Sequence, residues 1–187
     1  VVPGWLDKSL IKPADARVAN PTPGKPKKMS EQWGVQVCAT NEELVDQCDV
    51  VIIAVKPQDM ITAIEPLRTV FRPEQIVISL AAGITLQRLK KIVPPGTHIS
   101  RLMANTPARI NRGTFAWCTP GNDPITDRFM ERMFKPLGFT VKLEEGEAFE
   151  AFLVAVSTGV GLIYEMMIYW QEWLEERGLE PELAQQL

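Results

Sequence analysis

Residues Asp49–Met60 read DVVIIAVKPQDM, and within them six consecutive apolar residues, Val50–Val55, stop abruptly at Lys56-Pro57. A β-branched run this long offers no face to water, so it reads as a strand covered on both sides. Strands of that kind belong to parallel sheets, whose crossover helices lie on both faces. Further short runs repeat the signal at Asp15–Asn20, Val35–Thr40, Ile76–Leu80, His98–Met103, Gly113–Cys118 and Phe139–Leu143. Between them, Asn41–Cys48, Pro57–Val70 and Thr85–Ile92 suit helices, the first opened by an Asn and two glutamates. Thr126–Leu137 places Phe129, Met130, Met133, Phe134 and Leu137 along one side and meets Gly138, a helix-ending residue type. Strand and helix in alternation give the fold class α/β: a mostly parallel sheet with flanking helices.

The alternation ends after Gly146. Glu147–Arg177 is one long apolar segment, interrupted only at Ser157-Thr158-Gly159-Val160-Gly161 and closed by Gly178; "EPELAQQL" then begins another helix. The methionines and aromatics of this segment suit packing against other helices more than a cofactor pocket. The expected organisation is therefore a sheet domain over 1–146 and the start of a helical domain over 147–187.

With 187 residues, 45% of them hydrophobic, the chain can build one sizeable core and part of a second. A formal net charge of -3 gives no reason to expect nucleic acid or an acidic membrane as partner. Cys38, Cys48 and Cys118 show neither the close pairs of a zinc or redox site nor the even count of a disulfide framework, so no metal and a reducing, cytoplasmic compartment are expected. No stretch is read as approaching the roughly 20 apolar residues of a membrane span, and no signal peptide is visible. The chain opens on Val1 rather than Met, which suggests a fragment.

Three strand ends carry chemistry. In an open α/β sheet ligands bind outside the carboxyl ends of the strands. Ala54-Val55-Lys56-Pro57 would bring backbone amides, a cation and a fixed turn to that edge; equally, Lys56 is the first solvated residue after a strand and Pro57 an ordinary first helical residue. Leu80-Ala81-Ala82-Gly83 would let a flat ligand approach the backbone, or simply pack a tight turn. Asn105-Thr106-Pro107 offers an amide that can donate and accept, or a common turn.

Together, and in this order and spacing, "AVKPQDM", "SLAAGIT" and "RLMANTPARINRG" resemble the pyrroline-5-carboxylate reductase family, well over Leu6–Leu143 and more loosely to Leu187. The resemblance implies a Rossmann-type domain followed by a helical dimerisation domain, and reduction of 1-pyrroline-5-carboxylate to L-proline by hydride transfer to a cyclic imine. It implies a small-molecule imine as partner and a homodimer or higher homo-oligomer. By that likeness Ala54, Val55, Lys56 and Pro57 line the phosphate and ribose region of the cofactor, and Leu80, Ala81 and Ala82 lie beside its nicotinamide half. Asn41 matches a position near the adenine, and Asn105, Thr106 and Pro107 match the segment next to nicotinamide and imine. The protein would orient two ligands and exclude water, with no catalytic acid assigned. His98, away from the three strand ends, is read as structural or exposed.

The strand "RVAN" bears on cofactor choice. An acidic residue at its end would bind ribose hydroxyls and repel a 2′-phosphate; this chain has Asn20 and Thr22, followed by a loop with Lys25, Lys27 and Lys28. NADPH is therefore expected over NADH.

The chain departs from the family in two places. It starts inside what resembles the first helix, near Trp5-Leu6, without the strand and Gly-rich turn that cradle a pyrophosphate. That strand would lie between "RVAN" and "VVIIAV", so the middle of the sheet is expected to be unfilled unless another segment replaces it. The second departure is Val156–Gly161, where Thr158 keeps a hydroxyl expected near the substrate while Val160 replaces a proline. A helix break at the domain junction is the expectation there. A reductase of a different imine, and a non-catalytic nucleotide- or partner-binding protein, stay open beside the leading reading.

Overall fold

The computed structural model describes residues 1–22 and 24–187. In chain order the main elements are α1 (Val2–Asp7), β1 (Arg17–Val18), α2 (Gly24–Trp33), β2 (Gln36–Val37), α3 (Asn41–Gln47), β3 (Val50–Ile53), α4 (Met60–Ile64), β4 (Ile76–Ser79) and α5 (Leu86–Lys90). They continue with β5 (His98–Ala104), β6 (Gly113–Cys118), α6 (Pro124–Phe134), β7 (Gly138–Lys142), α7 (Glu147–Leu153), α8 (Gly159–Glu175) and α9 (Pro181–Gln186). Every expected strand is present, most of them trimmed by a residue or more at their ends.

The strands fall into two sheets. A five-stranded sheet has the order β3-β4-β5-β6-β7, with β3, β4 and β5 mutually parallel, β6 antiparallel to β5, and β7 parallel to β6. β1 and β2 form a separate parallel pair, and among the described residues no strand joins it to β3. β1 and β3, the strands of "RVAN" and "VVIIAV", are not paired with each other among the described residues.

Two apolar layers cover the five-stranded sheet, as a mostly parallel Rossmann-type arrangement requires. One face buries Val51, Ile53, Val77, Ile99 and Met103 against Met60, Ile64, Leu89 and Phe149. The other buries Ile78, Leu102, Phe115 and Trp117 against Trp5, Met130, Phe134 and Leu137. Alternate residues of each strand serve opposite faces, which explains why the central strands are apolar at most positions, with Ser79, Ser100 and Arg101 as buried polar exceptions. α1 docks through Trp5, whose indole packs edge-on against Phe134 at 5.3 Å and donates from Nε1 to the Met133 carbonyl at 2.7 Å. The split-off unit is held from its far end: Gln75 Nε2 donates to the carbonyls of Val45 and Cys48 at 2.8 and 2.6 Å, and Val45 of α3 is buried.

Several sequence expectations need correction. Pro57–Val70 is not one helix but a 3-10 turn (Pro57–Asp59), α4 and a second 3-10 segment (Glu65–Thr69). Pro66 lacks an N–H and its ring opposes the carbonyl one turn back, so the α-helix cannot run through it. The lysine-rich stretch after Thr22 is helix α2 rather than a loop, with Lys27 and Glu31 paired one turn apart at 3.9 Å. α3 is capped by Thr40, not Asn41: Thr40 Oγ1 accepts from Glu43 N at 3.2 Å, while Glu43 Oε2 reaches back to accept from Ala39 N, one residue before the cap, at 2.8 Å.

The expected break near Ser157 is not a break. Val154–Thr158 is a π-helical turn inside a helix that continues into α8, with the Gly159 N–H reaching back to the Val154 carbonyl. The expectation that no segment approaches membrane-spanning length is corrected with it. Glu147–Glu175 is a single 29-residue helix, long and apolar enough by length and composition to cross a membrane. Ser157–Gly161 interrupts the apolar pattern in sequence, but the backbone stays helical through it, so the two apolar halves join.

Candidate functional site

The parallel register puts three strand ends side by side. Ile53, Ser79 and Arg101 are successive partners across β3, β4 and β5, so Ala54–Pro57 and Leu80–Gly83 emerge at the same level, with β5 running three residues further to Ala104. The Leu80 N–H still donates to the Ile53 carbonyl at 3.0 Å, tying the first two ends together. The last residues of the apolar run, Ala54 and Val55, lie beyond the paired strand and belong to this rim.

Each rim is fixed by its own local chemistry. At the first, the Lys56 carbonyl accepts from Asp59 N at 2.9 Å and Pro57 opens the 3-10 turn, leaving the Lys56 side chain exposed and, among the described residues, without an ion-pair partner. At the second, Ser79 Oγ accepts from Ala81 N at 3.3 Å; Ala81 is buried, Ala82 exposed and Leu80 half-buried. Gly83 has φ +71 with open space where a side chain would stand, so this turn requires the residue without a Cβ.

At the third rim, Asn105 Oδ1 accepts from Thr114 N on β6 at 2.9 Å, and the Asn105 carbonyl accepts from Ala108 N at 3.1 Å. Thr106 and Pro107 open a 3-10 segment, Thr106–Ile110, closed by Asn111 at φ 57. The sequence allowed the Asn105 amide to donate and accept. The fold commits its oxygen to β6 and leaves the NH₂ as the group for a ligand.

The remaining expected residues stand elsewhere. Asn20 and Thr22 follow β1 on the two-stranded sheet, both exposed, and the Asn20 carboxamide oxygen accepts from Thr22 N at 2.8 Å. Asn41 is the first residue of α3, at the end of β2. The tertiary structure thus brings Ala54, Val55, Lys56, Pro57, Leu80, Ala81, Ala82, Asn105, Thr106 and Pro107 to one sheet edge, while Asn20, Thr22 and Asn41 share the edge of the other sheet. Thr158 is exposed in the π-turn, and among the described residues no hydrogen bond joins it to a rim. Open clefts of about 320 and 290 Å³ lie away from the rims, one beside Lys90 and Glu144, the other along α8 at Trp170.

Together the three rims offer small residues in the middle, an amide donor at one side and a lysine at the other, groups that could hold a flat, polar or anionic ligand.

At the opposite, amino end of β5, His98 Nδ1 donates to Asp123 Oδ2 at 2.9 Å, half-buried, which is the structural role expected of it. Asp123 also caps α6, accepting from Thr126 N at 3.1 Å and from Thr126 Oγ1 at 2.7 Å. Burial pushes the Asp123 carboxyl up, but the hydrogen bonds from Thr126 and His98 outweigh it and hold the group below its ordinary 3.8. Burial pushes the Cys118 thiol up to about 12.

Sequence reasoning missed Arg101. Its side chain is 1% exposed and pairs with Glu145 and Glu150 at 2.9 Å each. The available signal was a charged residue in the middle of HISRLM, a segment otherwise read as a central strand.

Comparisons with known proteins agree with the geometry. Residues 3–83 match the family model described as "NADP oxidoreductase coenzyme F420-dependent". Over 187 residues the chain is 26% identical to the pyrroline-5-carboxylate reductase of Pseudomonas aeruginosa, covering 98% of this chain and 68% of that protein. The solved pyrroline-5-carboxylate reductase of Coxiella burnetii superimposes with a TM-score of 0.85 at 26% identity, over 98% of this chain and 68% of that one. The pyrroline carboxylate reductase of Plasmodium falciparum, solved with NADP bound, shares the fold with a TM-score of 0.83 at 22% identity, over 98% and 67%.

Proposed function

We propose that the chain, an NAD(P)-dependent oxidoreductase similar to pyrroline-5-carboxylate reductases over nearly its whole length, serves the reduction of 1-pyrroline-5-carboxylate to L-proline with NADPH. The observation that carries this reading is the alignment of three strand ends, Ala54–Pro57, Leu80–Ala82 and Asn105–Pro107, at one edge of a parallel sheet. When bound, the dinucleotide supplies the hydride that reduces the imine carbon. The chain's own part is orientation: Lys56 offers charge to a phosphate or ribose oxygen, Ala81 and Ala82 let a flat ring approach the backbone, and the Asn105 NH₂ donates to a carboxamide or carboxylate. The wall formed by Leu80 and the buried strand ends excludes water from one side of the rim.

NADPH is preferred to NADH because the segment after β1 carries Asn20 and Thr22 instead of a carboxylate, with Lys25 and Lys28 exposed on α2. The exposed helix α8, with Met166, Tyr169 and Trp170 each more than half accessible, fits a subunit interface of a homo-oligomer. The Coxiella burnetii reductase covers 98% of this chain, which favours a helix of the reductase fold over a membrane span for Glu147–Glu175.

A fluorescence titration with NADPH and NADH, followed by turnover with 1-pyrroline-5-carboxylate, tests the proposal. Saturable NADPH binding and proline formation are expected; no binding by the chain removes the reductase reading. The π-turn at Val154–Thr158 favours one second reading, a reductase of another imine, in which NADPH binds but pyrroline-5-carboxylate is not turned over.

A further inference from the structure

Arg101 carries a full charge in the middle of the five-stranded sheet. Strand alternation puts it on the same face as Ile99 and Met103, both buried in one apolar layer, and its side chain is 1% exposed. A guanidinium in such a place must be paired, and all its partners come from one short segment. Nη1 donates to Glu145 Oε1 and Nη2 to Glu150 Oε1, each at 2.9 Å, while the Phe149 ring lies 4.7 Å below the guanidinium carbon. Glu145 Oε1 also accepts from Leu86 N at 2.8 Å, so the segment is tied to α5 as well.

The planar fork of Arg fixes two carboxylates in direction as well as distance, which a point charge does not. Here it fixes the first turn of α7, and α7 continues through the π-turn into α8 as one 29-residue helix. The strand that holds Arg101 ends at Ala104 and leads directly into Asn105. We infer that Arg101 is a positioning residue: it clamps α7 to β5 and so sets where the π-turn bearing Thr158 stands relative to the Asn105–Pro107 rim. The clamp is read from contacts alone; its consequence for an imine ligand rests on the reductase reading proposed above.

Hydrogen exchange by mass spectrometry on the full chain tests the clamp without recourse to activity. Arg101→Met is expected to speed amide exchange over residues 147–158 by about tenfold or more while peptides of β3, β4 and β6 keep their protection. Arg101→Lys, which restores charge but not the fork, is expected to fall between the two. Uniform acceleration across all segments would reduce Arg101 to general core support and overturn the inference, as would no change over 147–158. Should Arg101→Met not fold, Glu150→Gln, half-exposed on α7, decides by the same pattern: selective acceleration supports the clamp and its absence refutes it. In turnover, Arg101→Lys is expected to raise KM for pyrroline-5-carboxylate about tenfold with NADPH affinity unchanged; equal loss of both refutes the positioning role. A wild-type chain that binds no NADPH would sink the reductase reading and leave the exchange pattern to judge the clamp.

Discussion

Both sheets of this molecule contain parallel strand pairs, joined in the larger one by a single antiparallel pair, β5-β6, yet only the larger has a core among the described residues. In the five-stranded sheet, β4 is buried at all four positions and β5 at five of seven. In the two-stranded sheet, both residues of β2 are exposed, both of β1 are half-exposed, and the unit is attached chiefly through Val45 and Gln75. The difference lies less in β-propensity than in neighbours: a strand pair without a third strand and a covered face is marginal in water.

Substitutions can break or sharpen that contrast. The largest effect is expected in the covered sheet: Phe134→Ala, which empties a site against Trp5 and Phe115, should cost about 3–5 kcal/mol in urea unfolding. A cost near zero would mean that the core described here is not the stabilising one.

Next comes the cap at the amino end of β5 and α6. Asp123→Ala should cost about 0.5–2 kcal/mol at neutral pH. Because the folded carboxyl titrates below its unfolded value of 3.8, its contribution is present above that value and is lost as pH falls through the lowered one. The wild-type chain should therefore lose stability below about pH 4, and Asp123→Ala should lack that component; equal acid sensitivity of the two would exclude the assignment.

Thiol labelling compares the two sheets directly. Cys118, fully buried with its thiol raised to about 12, should resist iodoacetamide at pH 8 until the chain unfolds. Cys48, half-buried at the end of α3, should react first, and Cys38, buried after β2, at an intermediate rate set by opening of the small unit. Equal protection of Cys38 and Cys118 would show the two sheets opening as one.

The smallest effect belongs to the exposed pair. Val37→Thr on β2 should change stability by less than about 0.5 kcal/mol in the same urea experiment. A larger loss would reveal a covering neighbour for that strand.

Much of this was legible in the chain. Apolar runs such as Val50–Val55 and Ile76–Leu80 determined strands, their continuity determined a parallel sheet covered on both faces, and the Lys56-Pro57 and Gly83 stops located the ends. The resemblance carried by AVKPQDM, SLAAGIT and MANTP implied that β1 and β3 would not be direct neighbours, and they are not paired among the described residues. Local signals failed at two helical segments. Gly24–Trp33 reads as a lysine-rich loop because its residues are mostly polar, and it is a helix despite that. Ser157–Gly161 reads as a break because serine and glycine disfavour helices, but the flanking apolar turns propagate through it as a π-turn.

What only the tertiary structure decided is which groups are spent and which are left for a ligand. Sequence places an amide at Asn105; the antiparallel β6 takes its oxygen and leaves its NH₂. Sequence places a cation at Arg101; Glu145 and Glu150, far along the chain, neutralise it in the core and so fasten the long helix. The reason is physical: strand and helix formation follow periodicities of neighbouring residues, whereas hydrogen-bond partners and buried charges are settled by residues that meet only when the sheet closes.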